Sequence, residues 1–236
     1  MLILILAESA LETIPKDLWE HPAVKRHSKK HKKPPQRLIL DRSYHHAAMK
    51  TLPENERRGR PDIVHFALLE ALGSPLNKER LLQVYVHTLN NYVIKVNSET
   101  RLPRNYNRFI GLMEQLFEFG RVPPNGKALL KLERKTLSQL IRQVNPTYVV
   151  GFSTAGVPRT VEEIILKLLN EEKPAVIIGG FPHGHFSTTV LQLVNELARI
   201  DSEALDTWTV TSRVIYEYEC AVSLPIKRLK RQFSLS

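Results

Sequence analysis

AVIIGGFPHGHF, residues Ala175 to Phe186, runs four apolar, strand-forming residues into a paired glycine, a short loop and Gly184, and Ser187 to Leu197 continues with a helical pattern. The stretch predicts a strand, a glycine loop and a helix. In α/β proteins the loops leaving the carboxyl ends of strands form the ligand crevice, because glycine lets the backbone approach a bound molecule with no Cβ in the way. Gly179, Gly180 and Gly184 therefore mark a candidate cofactor loop. The spacing is neither the dinucleotide fingerprint nor a phosphate-binding loop with its Lys and Ser/Thr, so a plain turn stands beside the ligand site as a reading.

Outward from this loop, strand and helix alternate. Before it, Tyr148 to Gly151 reads as a buried strand ending in the loop FSTAGVP, followed by a helix from Thr160 to Leu169. Further upstream, Leu129 to Leu132 is a short strand and Leu137 to Val144 a helix; downstream, Ser187 to Ala198 is a helix and Val214 to Ala221 a final one. Leu2 to Leu6 is an unbroken run of Leu and Ile, as expected of a strand covered on both faces. Asp62 precedes the helical spacing of Ile63 to Leu72 as a candidate N-cap. Leu81 to Thr88 and Tyr92 to Val96 form a hairpin signal around Asn90-Asn91, and an amphipathic helix runs through Phe109, Leu112, Met113, Leu116 and Phe117. The alternation predicts an α/β fold with a mostly parallel sheet flanked by helices.

The hydrophobic content of 42% is that of a globular chain, and 34 Lys and Arg against 24 Asp and Glu give a formal net charge of +10. Such a surface suits a polyanion, nucleic acid ahead of an anionic membrane. KRHSKKHKK, Lys25 to Lys33, offers nothing to build a core from. It predicts a solvated, mobile loop that also serves as a phosphate-binding arm ordering on RNA. His21, His27 and His31 lie among lysines that repel a cation, with no cysteine nearby, so no metal site is expected. The apolar start is cut off by Glu8, too short for a signal peptide or membrane span, and the expectation is a cytoplasmic protein. Cys220 is the only cysteine and reads as an inert core thiol.

Three constellations carry chemistry. Arg60, Arg101, Arg104 and Arg108 offer guanidinium forks for phosphate, with Tyr106 and Phe109 beside them either to stack on unpaired bases or to serve the core. In Arg60-Pro61-Asp62 the proline fixes the backbone, so that Asp62 can cap the helix, hold Arg60 in place, or act as a candidate base. Gly151 to Ala155 falls one glycine short of a nucleophile elbow, and an acid followed by a histidine is poorly placed after Ser153, since His183 and His185 precede the C-terminal acidic residues, which argues against a hydrolase.

A denser signal spans most of the chain. GRPDIVHFALLEALGSPLNKERLLQVYVHTLNNYVIKVNSETRLPRNYNRFIGLMEQLF, Gly59 to Phe117, is joined by LAESALETIP from Leu6, LDRSYHHAAM from Leu40, the loop GGFPHG and SRVIYEYE from Ser212. Together they resemble the ribosome-biogenesis pseudouridine N(1)-specific rRNA methyltransferases of the SPOUT, or α/β-knot, superfamily, in an archaeal form. Where that family often has proline after the residue matching Asn97, this chain has Ser98, which touches only a turn. The resemblance implies a SPOUT-type trefoil-knotted α/β fold with family-specific insertions. It implies one domain over residues 1–236, including a basic insertion around 21–37 and an α/β extension around 92–120.

It also implies S-adenosyl-L-methionine as cofactor. The pocket would be made by Phe152, Ser153 and Thr154, by Gly179, Gly180, Phe181 and Gly184, and by Ile200, Asp201, Ser202, Glu203, Ala204 and Leu205. Arg60, Arg101, Arg104 and Arg108 match the RNA-contacting arginines, and Asp62 the carboxylate that steadies Arg60. Small-subunit ribosomal RNA is the implied substrate and a homodimer the implied assembly. The competing expectation is a non-catalytic RNA-binding ribosome assembly factor.

Overall fold

The computed structural model describes residues 1–233. In chain order the elements are β1 (Leu2–Ser9), α1 (Pro22–His31), α2 (Arg42–Met49), α3 (Pro61–Gly73), α4 (Pro75–Lys78), β2 (Leu82–Thr88), β3 (Tyr92–Val96), α5 (Tyr106–Phe119), β4 (Arg121–Val122) and β5 (Leu130–Arg134). There follow α6 (Leu137–Val144), β6 (Tyr148–Pro158), α7 (Val161–Leu168), β7 (Pro174–Gly179), α8 (Thr188–Leu191), β8 (Glu196–Arg199), α9 (Thr207–Ala221) and α10 (Leu224–Phe233). The strands form an eight-stranded sheet in the order β4-β5-β3-β2-β1-β7-β6-β8. β2, β1, β7, β6 and β8 are parallel neighbours, and β3, β5 and β4 extend the sheet antiparallel.

β1 lies inside the sheet with all its residues buried. Leu2, Leu4 and Leu6 enter a core shared with α3, α5 and α9, while Ile3, Ile5 and Ala7 enter one on the opposite face with α6. The period of two sends alternate side chains to opposite faces, so a strand covered on both sides must be apolar throughout. Each such Leu or Ile contributes about 1.5–3 kcal/mol by leaving water.

The basic segment departs from expectation. Lys25 to His31 is no mobile loop but most of α1, a helix that starts on Pro22 with His21 accepting the Ala23 N–H at 3.2 Å. Its cations stay outside while Val24 joins Ile14, Leu18, Leu38, Leu40, Met49 and Leu52 in a small separate core. The apolar partners come from flanking segments, which the charge run hides. His27 fixes α1 to α2: His45 Nδ1 accepts the Asp41 N–H at 3.0 Å, leaving its Nε2 proton for His27 Nδ1 at 2.8 Å.

Other boundaries shift too. FSTAGVP is not a free loop: β6 continues to Pro158, and Phe152 and Val157 both align with Ala198 of β8, so residues 153–156 bulge between them. Ser187 to Ala198 is a single helical turn, α8, followed by β8, because the Glu196–Ala198 main chain pairs with Val150–Phe152. α9 begins at Thr207, a full two turns before the expected helix, and α10 follows it. Asp62 does not cap α3; Arg60 occupies that position and Asp62 sits in the first turn. Cys220 is exposed rather than buried.

Candidate active site

The carboxyl ends of β6, β7 and β8 open into a cavity of about 340 Å³. Three stretches far apart in sequence wall it: Phe152 to Thr154, the loop from Gly179 to Phe186, and the turn from Arg199 to Leu205. The approach is close because side chains are missing where strands meet. A Cβ on Gly156 would stand 2.5 Å from the Ala198 carbonyl carbon, and one on Gly180 2.2 Å from Ser9 Oγ. Gly180 therefore serves β1 packing, donating to Ala7 O at 2.9 Å and accepting from Ala10 N at 2.8 Å, rather than lining the cavity. Ser202 likewise faces an adjoining hollow beside Arg159 and Thr160. The other expected pocket residues all line the cavity.

Ile178, Phe186, Thr207 and Val210 also line it and were not legible in the sequence, since the helix carrying the last two was expected to start later. Thr207 Oγ1 donates to Gly179 O at 2.7 Å, bolting the start of α9 to the end of β7. Opposite, Arg57 lies under Phe181 with 4.2 Å between its Cζ and the ring centre, and pairs with Glu8 at 2.6 Å. Asp201 accepts the Glu203 N–H at 3.2 Å, which with Arg213 nearby holds its carboxyl below the usual range. The lining fits a small molecule with an apolar body and polar appendages: aromatic and aliphatic walls, free main chain, and carboxylates at the exposed turn.

Arg60 lies near the start of α9, where Thr207 lines the cavity. Arg60 Nε and Nη2 donate to the two Asp62 carboxylate oxygens at 2.9 and 2.7 Å, a fork-to-fork pair. Those bonds hold Arg60 more firmly protonated, with Asp206 at the start of α9 and Tyr106 adding to the field it feels. Arg101, Arg104 and Arg108 are exposed along the entry to α5. The histidine one turn into α3 sets their position: His65 Nε2 bonds Pro103 O at 2.7 Å while its ring stacks on Phe109 at 4.2 Å. Burial keeps His65 below its ordinary pKa, which suits a neutral ring donating through Nε2. Phe109 is fully buried and Tyr106 donates to Asp41 at 2.5 Å, so both serve the frame and neither is free to stack on bases.

Arg58 reinforces the same segment from behind, donating to both Glu12 oxygens at 2.8 and 2.6 Å. Among the described residues no three metal-ligating side chains converge. No histidine hydrogen-bonds Ser153 there; its Oγ accepts the Ala155 N–H at 3.3 Å. No helix among the described residues is long and apolar enough to cross a membrane.

A parallel-sheet edge with three converging segments and a main-chain-rich pocket defines a SPOUT-type methyltransferase, α/β in class with helices on both sheet faces. A family model described as "EMG1/NEP1 methyltransferase" matches residues 4–219, and the chain belongs to that family. The ribosomal RNA small subunit methyltransferase Nep1 of Thermococcus kodakarensis is 49% identical over 227 residues, covering 95% of this chain and all of that one. The enzyme of the same name from Thermococcus sibiricus is 50% identical over 219 residues, 93% of this chain and 98% of the relative. The crystal structure of Archaeoglobus fulgidus Nep1 bound to S-adenosylhomocysteine superposes with a TM-score of 0.83 at 40% identity, covering 94% of this chain and 98% of that chain.

Proposed function

We propose that the protein transfers a methyl group from S-adenosyl-L-methionine to ring nitrogen 1 of a pseudouridine in small-subunit ribosomal RNA, acting in ribosome biogenesis as a cytoplasmic homodimer. The observation that carries this reading is the adjacency of the cavity to the Arg60–Asp62 pair across the start of α9. The sequence similarity to proteins named rRNA methyltransferases, and the S-adenosylhomocysteine in the related structure, support the reaction class and cofactor.

The cofactor, when bound, supplies an already electrophilic sulfonium methyl. The main chain of Gly179, the Phe152–Thr154 segment and the Ile200–Leu205 turn would hold it, and Phe181 would close one side. Arg60, Arg101, Arg104 and Arg108 would grip the RNA backbone while the target base leaves its loop for the cavity. Asp62, with both oxygens committed to Arg60, acts as a positioning group. The protein's contribution is then chiefly to place nucleophile and methyl in line.

The homodimer reading is supported by α3 and α9, which pack together and leave Phe66 46% and Tyr216 62% exposed. Large apolar side chains exposed on adjoining helices suit a second copy. Light scattering at twice the chain mass checks it.

The reaction is tested by mass spectrometry of a short ribosomal RNA hairpin carrying uridine or pseudouridine at one loop position, after incubation with protein and S-adenosyl-L-methionine. One methyl gained by the pseudouridine hairpin alone is expected. Binding of both hairpins with no methylation would instead favour the non-catalytic assembly factor.

A further inference from the structure

The cavity wall from Phe181 to Phe186 lacks the bonds that hold the other two. Among the described residues none of these six makes a hydrogen bond to the rest of the chain. The wall is fixed at its ends, by Gly180 on the β1 main chain and by the Ser187 N–H on Glu8 Oε2 at 3.2 Å. Between those ends the Phe181 ring rests on the Arg57 guanidinium, and Arg57 Nη2 donates to the same Glu8 oxygen at 2.6 Å. One buried carboxylate oxygen thus anchors one end of the wall and the cation beneath its middle.

Two further observations single the pair out. Glu8 sits at φ 51°, a left-handed conformation that an ordinary strand residue avoids, at the point where β1 runs toward the pocket. Arg57 Nε is buried with no acceptor, so the guanidinium is not placed there by hydrogen bonding alone. Its flat face on an aromatic ring accounts for the position, because a cation is drawn to the negative face of the ring. Arg57 also opens the run Arg57 to Arg60, whose last member is among the arginines proposed to grip RNA.

We propose that Glu8 and Arg57 are a positioning pair for the cofactor pocket. They hold Phe181 to Ser187 in the shape that receives S-adenosyl-L-methionine or its product, and this rests on the cofactor reading given above. The pair touches the wall and not the reacting atoms.

Calorimetric titration of the full-length protein with S-adenosylhomocysteine tests it, alongside thermal melts and hydrogen exchange. Arg57→Ala is expected to weaken binding at least tenfold and to raise exchange across residues 181–187 while the sheet strands stay protected. Arg57→Lys keeps the charge on Glu8 but loses the flat face, and is expected to fall between the two. The double variant Arg57→Ala with Phe181→Leu is expected to bind no more weakly than the worse single change, since both remove one contact. A folded Arg57→Ala that binds within twofold of the wild type overturns the proposal. Should Arg57→Ala not fold, Arg57→Lys with unchanged affinity and unchanged exchange overturns it equally. Failure of the wild-type protein to bind S-adenosylhomocysteine would overturn the cofactor reading instead.

Discussion

Asp62 and Arg60 show how much a single carboxylate can be asked to do. With both oxygens accepting from one guanidinium, Asp62 orients Arg60, and any proton it took from a substrate would weaken that pair. Asp62→Asn keeps the shape but loses the charge and one of two acceptors. Such charge-assisted bonds are worth about 1.5–3 kcal/mol, so the KM for RNA is expected to rise about tenfold with kcat within about twofold. Steady-state kinetics over RNA concentrations from below KM to saturation check this, and a hundredfold fall in kcat would make Asp62 a proton acceptor instead. His45 yields a second prediction. Burial, then the neighbouring His27, lowers its pKa to about 4, while Asp41 opposes the shift. The unfolded chain therefore binds more protons as pH falls from about 6.5 toward 4, and stability drops across that window by on the order of 2 kcal/mol. Urea melts at pH 7 and pH 5 measure the loss, and His45→Gln should flatten it.

These residue roles were unevenly legible. Arg60 and Asp62 are two residues apart in sequence, so their pairing could be read directly. His65, Arg57 and Thr207 could not, because each acts on a partner more than 20 residues away, Pro103, Phe181 and Gly179 respectively. Nothing in local spacing encodes such a contact.

Among the elements, the meeting of β6 and β8 controls the pocket most directly. Gly156 lies so close to the β8 main chain that a Cβ must displace backbone rather than a flexible side chain. Gly156→Ala is expected to cost about 1–3 kcal/mol, as overpacking does, and to weaken S-adenosylhomocysteine binding by moving the Arg199–Leu205 turn. A chemical melt and a calorimetric titration of the same variant check both effects. Elements with strong periodicity and clean ends were legible in sequence: α6 was expected over the residues it occupies, with Thr136 and Gln139 forming a capping box. α1 and β8 were not. The cations of α1 hide one buried valine whose partners lie elsewhere, and β8 has apolar spacing that fits a helix but a strand edge waiting for it. In both, tertiary partners overrode the local pattern.

Over the whole molecule the net charge of +10 favours a polyanionic partner. RNA binding through the four arginines is expected to follow salt with a slope of about −3 in log–log form, and Arg101→Ala, whose side chain is exposed, should lower that slope by about 1. Filter binding between 50 and 200 mM salt, on the order of one decade or more in affinity, measures it.

The place of β1 in the sheet has a consequence for synthesis. Leu4 pairs with Val84 on one side and Val176 on the other, so the strand at the heart of the sheet is translated long before its second neighbour. At roughly 5–20 residues per second that interval is on the order of ten seconds. During it a run of Leu and Ile emerges with one edge open, a surface that invites other nascent chains or a chaperone. The molecule's most buried segment in the finished protein is thus its most exposed one while it is being made.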